Sequence, residues 1–312
     1  MTIRVTNLGV DIDLVPPALP RVTNLGVDID LVLPVRPRVT NLALDVDVED
    51  PAKKHVLLVV DSESNASTTN NLNAIKSLGH SVSVVLRTNL TIDHMRGADV
   101  TVLSRIPADA TLAGVVRQGI DAGCPVVIGQ TVMSSAGTGQ TLLGTLLNLC
   151  GTGRTEDSSP GWKYIDIVDT THAVTEGLAT GALQIHSSGN WGQAIEGSYV
   201  GTLLAESDPN STEIVNLPST VAIEAGTNDL QGQPIGARVV IATWVYAGQS
   251  AYTSQAVDLL DRILRWVTAP AEPPPPPPPP PGQATTMRRG PLPHPARLVP
   301  RVPAMRAVPR IR

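Results

Sequence analysis

Gly137-Thr138-Gly139-Gln140-Thr141 is the stretch whose residue types first suggest chemistry, because the backbone N–H groups of a glycine-rich turn opening a helix can cradle an anion. It has no lysine, and Ser134 stands where the first glycine of a Walker pattern would be, so a loop and helix cap is the expectation. The acidic pairs Asp11/Asp13, Asp28/Asp30 and Asp45/Asp47 offer carboxylates two residues apart. Calcium needs six to eight oxygens from a folded cage, which one strand face does not supply, and a solvated face is expected instead. Cys124 and Cys150 have neither a CxxC spacing nor paired histidines nearby, and read as small buried hydrophobes. Trp162, Trp191, Trp244 and Tyr246 could stack on sugars, Trp191 being the most loop-exposed, but a chain with no Phe needs its large aromatics for packing. No cofactor or metal site is expected.

The elements that would position these residues are organised around His55-Val-Leu-Leu-Val-Val-Asp61, a continuous apolar run of the kind found in a central strand buried on both faces. Strand and helix patterns then alternate: strands at 56–61, 81–86, 99–103 and 125–129, helices at 70–78, 111–122 and 141–149. This order predicts an α/β, doubly wound, mostly parallel sheet. Beyond Gly161 strands predominate, at 164–168, 183–186, 199–206, 220–225 and 237–246. An amphipathic helix over 254–267 closes the domain, with Ala256, Leu259, Leu260, Ile263, Leu264 and Val267 on one face. The domain is expected to span residues 51–269.

What flanks it has no core of its own. Residues 1–50 hold a strand repeated with a period of 17, Arg4–Leu14, Arg21–Leu31 and Arg38–Val48. Each copy alternates strictly, with Leu8, Val10 and Ile12, then Leu25, Val27 and Ile29, then Leu42, Leu44 and Val46 on one face against polar residues on the other. A lone repeat buries too little to offset its ordering entropy, so each copy must pair with its own copies, with the main domain or with another chain. Strand addition to a partner through these nine residues is expected, the alternative being a three-stranded sheet packed on the domain's own edge. Residues 270–282 contain nine consecutive prolines, a polyproline II rod about 28 Å long. Residues 283–312 hold seven arginines, no acid and several prolines, an extended basic tail in which Arg297, Arg301, Arg306 and Arg310 are the candidate contacts to an acidic partner surface. The formal net charge of the whole chain is −5. No apolar run reaches the length of a membrane helix, and membrane insertion and nucleic-acid binding are not expected.

The order of Gly97-Ala-Asp-Val-Thr-Val-Leu103, Asp121-Ala-Gly-Cys-Pro-Val-Val-Ile-Gly129, Thr171-His-Ala-Val-Thr-Glu-Gly-Leu178 and Gly236-Ala-Arg-Val-Val-Ile-Ala242 before a last helix ending Leu264-Arg-Trp266 resembles the class I glutamine amidotransferase-like superfamily, in its non-amidotransferase branch. The resemblance implies a flavodoxin-like sheet with a nucleophile on the tight turn after the strand at 125–129. That turn reads Gly129-Gln-Thr-Val-Met133, so Thr131 falls at the nucleophile position and Met133 replaces the glycine that would allow the turn. A hydroxyl without an adjacent base is a poor nucleophile. The implied domain is therefore non-catalytic. The rival is a hydrolase or amidotransferase-type enzyme using Thr131 or Ser134 with His172 or His186. The arm units resemble short repeats in virion and tail proteins of tailed bacteriophages. Together these predict a virion structural protein, a minor tail component present in multiple copies and docking on other tail or capsid proteins. A host-surface glycan-binding module using Trp191 is the third reading.

Overall fold

The computed structural model describes residues 3–6, 45–48, 53–130, 137–156, 162–189, 192–211, 214–245 and 251–270. The chain divides into two units, Met1–Ala271 and Glu272–Arg312. The second unit, with the proline rod and Arg297, Arg301, Arg306 and Arg310, lies outside the described residues, as do Leu8, Val10, Ile12, Leu25, Val27, Ile29, Leu42 and Leu44. Of the repeats, two pieces of backbone are described. β1 (Ile3–Thr6) pairs antiparallel with β2 (Asp45–Val48), Val5 opposite Val46, so the start of the first copy and the end of the third form a ladder within one chain.

β3 (His55–Val60) is buried on both faces, as its unbroken apolar run predicts, but it lies one place in from the end of its sheet rather than at the centre. It is flanked by β4 (Ser81–Leu86) and β5 (Val100–Leu103), and β6 (Val126–Ile128) follows β5, all parallel. Three helices connect these strands. α1 (Ala66–Ser77) is capped by the Asn65 side chain, the short α2 (Ile92–Arg96) by Thr91, and α3 (Ala110–Asp121) by Asp109.

The chain then leaves the main sheet. β7 (Gly137–Gln140), a four-residue α4 (Leu143–Leu146) and β8 (Cys150–Glu156) come next. β9 (Tyr164–Ile167) and β10 (Gly181–Gln184) precede β11 (Gly192–Tyr199), which joins β8 and β7 in a separate three-stranded sheet. β12 (Thr202–Ser207), β13 (Pro218–Ile223), β14 (Val239–Ala242) and α5 (Ser254–Val267) complete the fold.

The main sheet has nine strands in the order β10-β9-β12-β13-β14-β6-β5-β3-β4. Its parallel half, β4-β3-β5-β6-β14, carries the 2-1-3-4-5 order of flavodoxin-like doubly wound sheets. The other four strands extend it by antiparallel pairing. Alternate residues of β3 feed two cores. Val56, Leu58 and Val60 pack toward α1 and α5, whereas Leu57 and Val59 pack toward α2, α3 and α4.

Three local expectations are corrected. The helix expected at 141–149 is one turn long, because Asn148 turns the chain with a left-handed φ of 59° and Cys150 begins β8. Gly137–Gln140 is a strand rather than a helix-opening loop, held by pairing with β8. Residues 192–199, between two expected strands, are themselves β11.

Candidate functional site

In a doubly wound sheet the crevice lies outside the carboxyl ends of the strands where the order reverses, here between β3 and β5. Asp61 follows β3, Arg87 follows β4, and Asp109 caps α3 beyond β5. They meet there. Arg87 Nε donates to Asp61 Oδ1 at 2.7 Å and its Nη1 to Asp109 Oδ2 at 2.6 Å. The guanidinium fork is thus shared between two carboxylates. Beside it a cleft of about 330 Å³ is lined by Arg87, Thr88, Leu90, Asp109, Thr111 and Leu112.

Beneath this surface runs a buried polar chain. Tyr252 donates to Asn71 Oδ1 at 2.6 Å, Asn71 Nδ2 donates to Ser104 Oγ at 2.9 Å, and Ser104 Oγ donates to the Val245 carbonyl at 2.9 Å. Asn71 Nδ2 also reaches the Ser67 carbonyl at 2.9 Å. The chain ties α1, the end of β5, the segment after β14 and the entry to α5 into one unit. At its outer end the His186 ring stacks on Tyr252, centroids 5.6 Å apart, and Trp244 meets Tyr252 edge-on at 6.1 Å. His186 is fully buried, and among the described residues neither ring nitrogen has a hydrogen-bond partner. Burial alone pushes its pKa down to about 4.

At the carboxyl end of β6, Gly129 is a close-approach position. Its N–H donates to Leu103 O at 2.7 Å, and a Cβ there would lie 2.4 Å from Val245 O. Arg105 adopts a left-handed φ of 52° next to it and donates its N–H to Gln130 O at 2.8 Å. Thr131, Met133 and Ser134 lie outside the described residues, as do Trp191 and Tyr246.

The two histidines weighed as bases sit at opposite edges of the sheet. His172 packs against Trp266 with centroids 4.9 Å apart, and the Arg238 guanidinium lies 4.8 Å over the same indole while donating to the Trp266 carbonyl at 3.0 Å. Arg238 immediately precedes β14, so this cluster marks the amino edge of the parallel strands. Gly129 ends the neighbouring β6, roughly 13 Å further along at 3.3 Å per residue. His172 is therefore part of a turn closing the end of α5, its Nδ1 accepting from Val174 N at 3.2 Å. Burial holds its pKa below the ordinary value. His186 is on the carboxyl edge of the parallel strands, but enclosed.

The remaining candidates resolve simply. The Gly139 N–H donates to the Glu196 carboxylate at 3.2 Å, so a protein carboxylate already occupies the position an anion would take. Both cysteines are buried and free, and burial raises their thiol pKa values, that of Cys150 to about 12. Trp162 and Trp244 are buried in the core. Among the described residues no group of three or more His, Cys, Asp or Glu could hold a metal, and no helix is long and apolar enough to cross a membrane. The residues that sequence reasoning missed are Arg87, Asp61, Asp109, Asn71, Ser104 and Tyr252. Asp61 closing the first strand was the one available signal.

No family model and no curated protein matches the chain. Solved structures do. A ThuA-like protein from Bacteroides uniformis aligns over 70% of this chain and 93% of its own, with a TM-score of 0.50 and 11% identity. PurLQS from Thermotoga maritima covers 69% of this chain and 99% of its own at a TM-score of 0.42 and 12% identity. A glutamine amidotransferase from the same organism covers 69% and 97% at 0.39 and 9%. At such identities the likeness is one of fold, and no residue role passes across it.

Proposed function

We propose that this chain is a structural assembly protein of a virion, a minor tail component of a tailed phage, in which the α/β domain is a non-catalytic module and the flanking arms dock on neighbouring subunits. One observation carries the reading: a strand unit present three times at a period of 17, alternating strictly between apolar and polar faces. Identical docking strands suit a symmetric assembly that offers identical sites. The placement of the histidines and cysteines supports the non-catalytic part, since the thiols are buried, His172 belongs to the far edge of the sheet, and His186 is sealed in aromatic packing.

Sedimentation velocity on the full chain over a range of concentrations tests it. The wild type is expected to form larger species, and a Val10→Lys, Val27→Lys, Leu44→Lys variant to stay monomeric with unchanged circular dichroism. A monomeric wild type, or a triple variant that associates equally well, overturns the reading.

The hydrolase reading keeps one favourable observation, His186 with two unpartnered nitrogens on the edge that leads to Thr131. Turnover of an ester or of glutamine, lost in Thr131→Ala, would establish it; an inactive wild type removes it. The glycan reading, with Trp191 as the stacking platform, fails if Trp191→Ala binds host surface as well as the wild type.

A further inference from the structure

The three sheets end in edges of unequal quality. β10, at one end of the main sheet, has four residues and begins at Gly181, whose φ is 105°. β7, at the edge of the small sheet, pairs irregularly with β8 and contains Gly139 at φ 66°. Short, kinked or glycine-broken strands are how proteins blunt an edge against further pairing. β4 has none of these devices. It is six residues long, Ser81-Val-Ser-Val-Val-Leu86, pairs in unbroken register with β3 from Ser81 to Leu86, and contains no proline, glycine or lysine. Its outer edge is the end of the nine-stranded sheet.

The two faces of β4 differ in polarity. Val82, Val84 and Leu86 are half-buried and extend the core on the α1 and α5 side. The other face carries Ser81 and Ser83, exposed and with both hydroxyls hydrogen-bonded to the His55 ring, and then Val85, half-buried against the second core. A strand added beyond β4 would gain most with apolar side chains on the first face and polar ones on the second. That is the alternation of the arm: Leu25, Val27, Ile29 and Leu31 against Asn24, Gly26, Asp28 and Asp30. Charge adds a direction. The exposed Lys53 lies over Gly79, just before β4, with Lys54 next to it. An antiparallel arm would bring Asp28 and Asp30 to these lysines.

We propose that β4 is the acceptor edge for the second repeat, Arg21–Leu31, of a neighbouring copy of this chain, added antiparallel with Leu25, Val27 and Ile29 beside Val82, Val84 and Leu86. This rests on the reading of the repeats as docking strands and names their site. One edge per chain accepts one strand. The first and third copies meet at their outer ends in the β1–β2 ladder, and the middle copy, which has no residue in that ladder, is taken as the donor.

Disulfide trapping in full-length chains tests the pairing, with the buried Cys124 and Cys150 left in place and the wild type as the background control. A Ser83→Cys chain is mixed with an Asp28→Cys chain and, separately, with a Val27→Cys chain, under mild oxidation. Asp28 falls opposite Ser83 on the polar face of the arm and Val27 is on the apolar one, so the first mixture is expected to yield at least about fivefold more mixed dimer than the second. Equal yields overturn the proposal. So does a bond formed only within one chain carrying both Ser83→Cys and Asp28→Cys, because the donor is then not a neighbour. If the wild type associates in sedimentation but Ser83→Cys traps neither partner, the acceptor edge is wrong while the docking reading of the repeats survives. If the wild type does not associate, both fall.

Discussion

Acid should loosen this domain through His186, and the size of the effect can be worked out. The imidazole is fully buried against Tyr252, with no acid nearby to favour its charged form, and its pKa falls to about 4 from an ordinary 6.5. A base whose pKa is depressed in the fold is neutral there while the unfolded chain takes up the proton. The contribution is therefore intact above pH 6.5 and is lost progressively as pH falls from 6.5 toward 4. In full it amounts to about 3 kcal/mol, of which about 2 kcal/mol is gone at pH 5. His186→Phe keeps an aromatic ring against Tyr252 and removes two buried unpartnered nitrogens, so it should fold at least as stably at pH 7.5. Urea unfolding of both proteins at pH 7.5 and pH 5.0 isolates the effect, because His80 and His172, also depressed mainly by burial, are common to both. The wild type should lose about 2 kcal/mol more than the variant over that interval. Equal losses would mean that the His186 ring is solvated or finds a partner, and the reasoning about its enclosure would be wrong.

Three further outcomes follow from the same edge of the sheet and from the cysteines. Tyr252→Phe leaves Asn71 Oδ1 buried without its donor and should cost about 1–3 kcal/mol in urea unfolding, with no change in slope. Gly129→Ala drives a Cβ against the carbonyls of Val245 and Leu103, which are backbone and cannot swing away; a loss of about 1–3 kcal/mol is expected, and a neutral result would refute the close approach. Cys124 and Cys150 should resist a water-soluble thiol reagent at pH 8 and both react once the chain is unfolded, whereas fast labelling of the native chain would contradict their burial.

Much of the fold could be read from hydrophobic pattern, and the failures have a common cause. β3, β4 and β5 are dense in Val and Leu and were legible, as was α5, whose apolar residues recur at helical spacing. β8, Cys150-Gly-Thr-Gly-Arg-Thr-Glu156, has no apolar alternation. It is a strand because β11 and β7 pair with it on both sides, a tertiary fact that no local window contains. α1 was expected to begin at Asn70 and begins at Ala66, since Ser67, Thr68 and Asn71 are polar residues turned inward. The site suffered most. Tyr252 and Asn71 are 181 residues apart, and nothing in either local sequence marks it as half of a buried pair. Asp61, Arg87 and Asp109 come from three different loops that only the strand order brings together.

Where hydrogen-bonding capacity is left over distinguishes the two functional readings. At the switch point, the part of a doubly wound sheet that usually receives a ligand, Arg87 is held by Asp61 and Asp109, Asn71 by Tyr252, Ser67 and Ser104, and the Arg105 N–H by Gln130. The Gly139 N–H, at the glycine-rich stretch, is taken by Glu196. An anion entering the crevice would have to displace two carboxylates from one guanidinium, and a cation would have to compete with that guanidinium for both acids; either exchange returns little net free energy. The β4 edge is the reverse case. Its outward backbone groups have no strand partner among the described residues, so a ladder added there would not have to displace a described strand. On the proposed reading the β4 edge is where another chain pairs, and the crevice keeps its internal pairs between Arg87 and the two carboxylates.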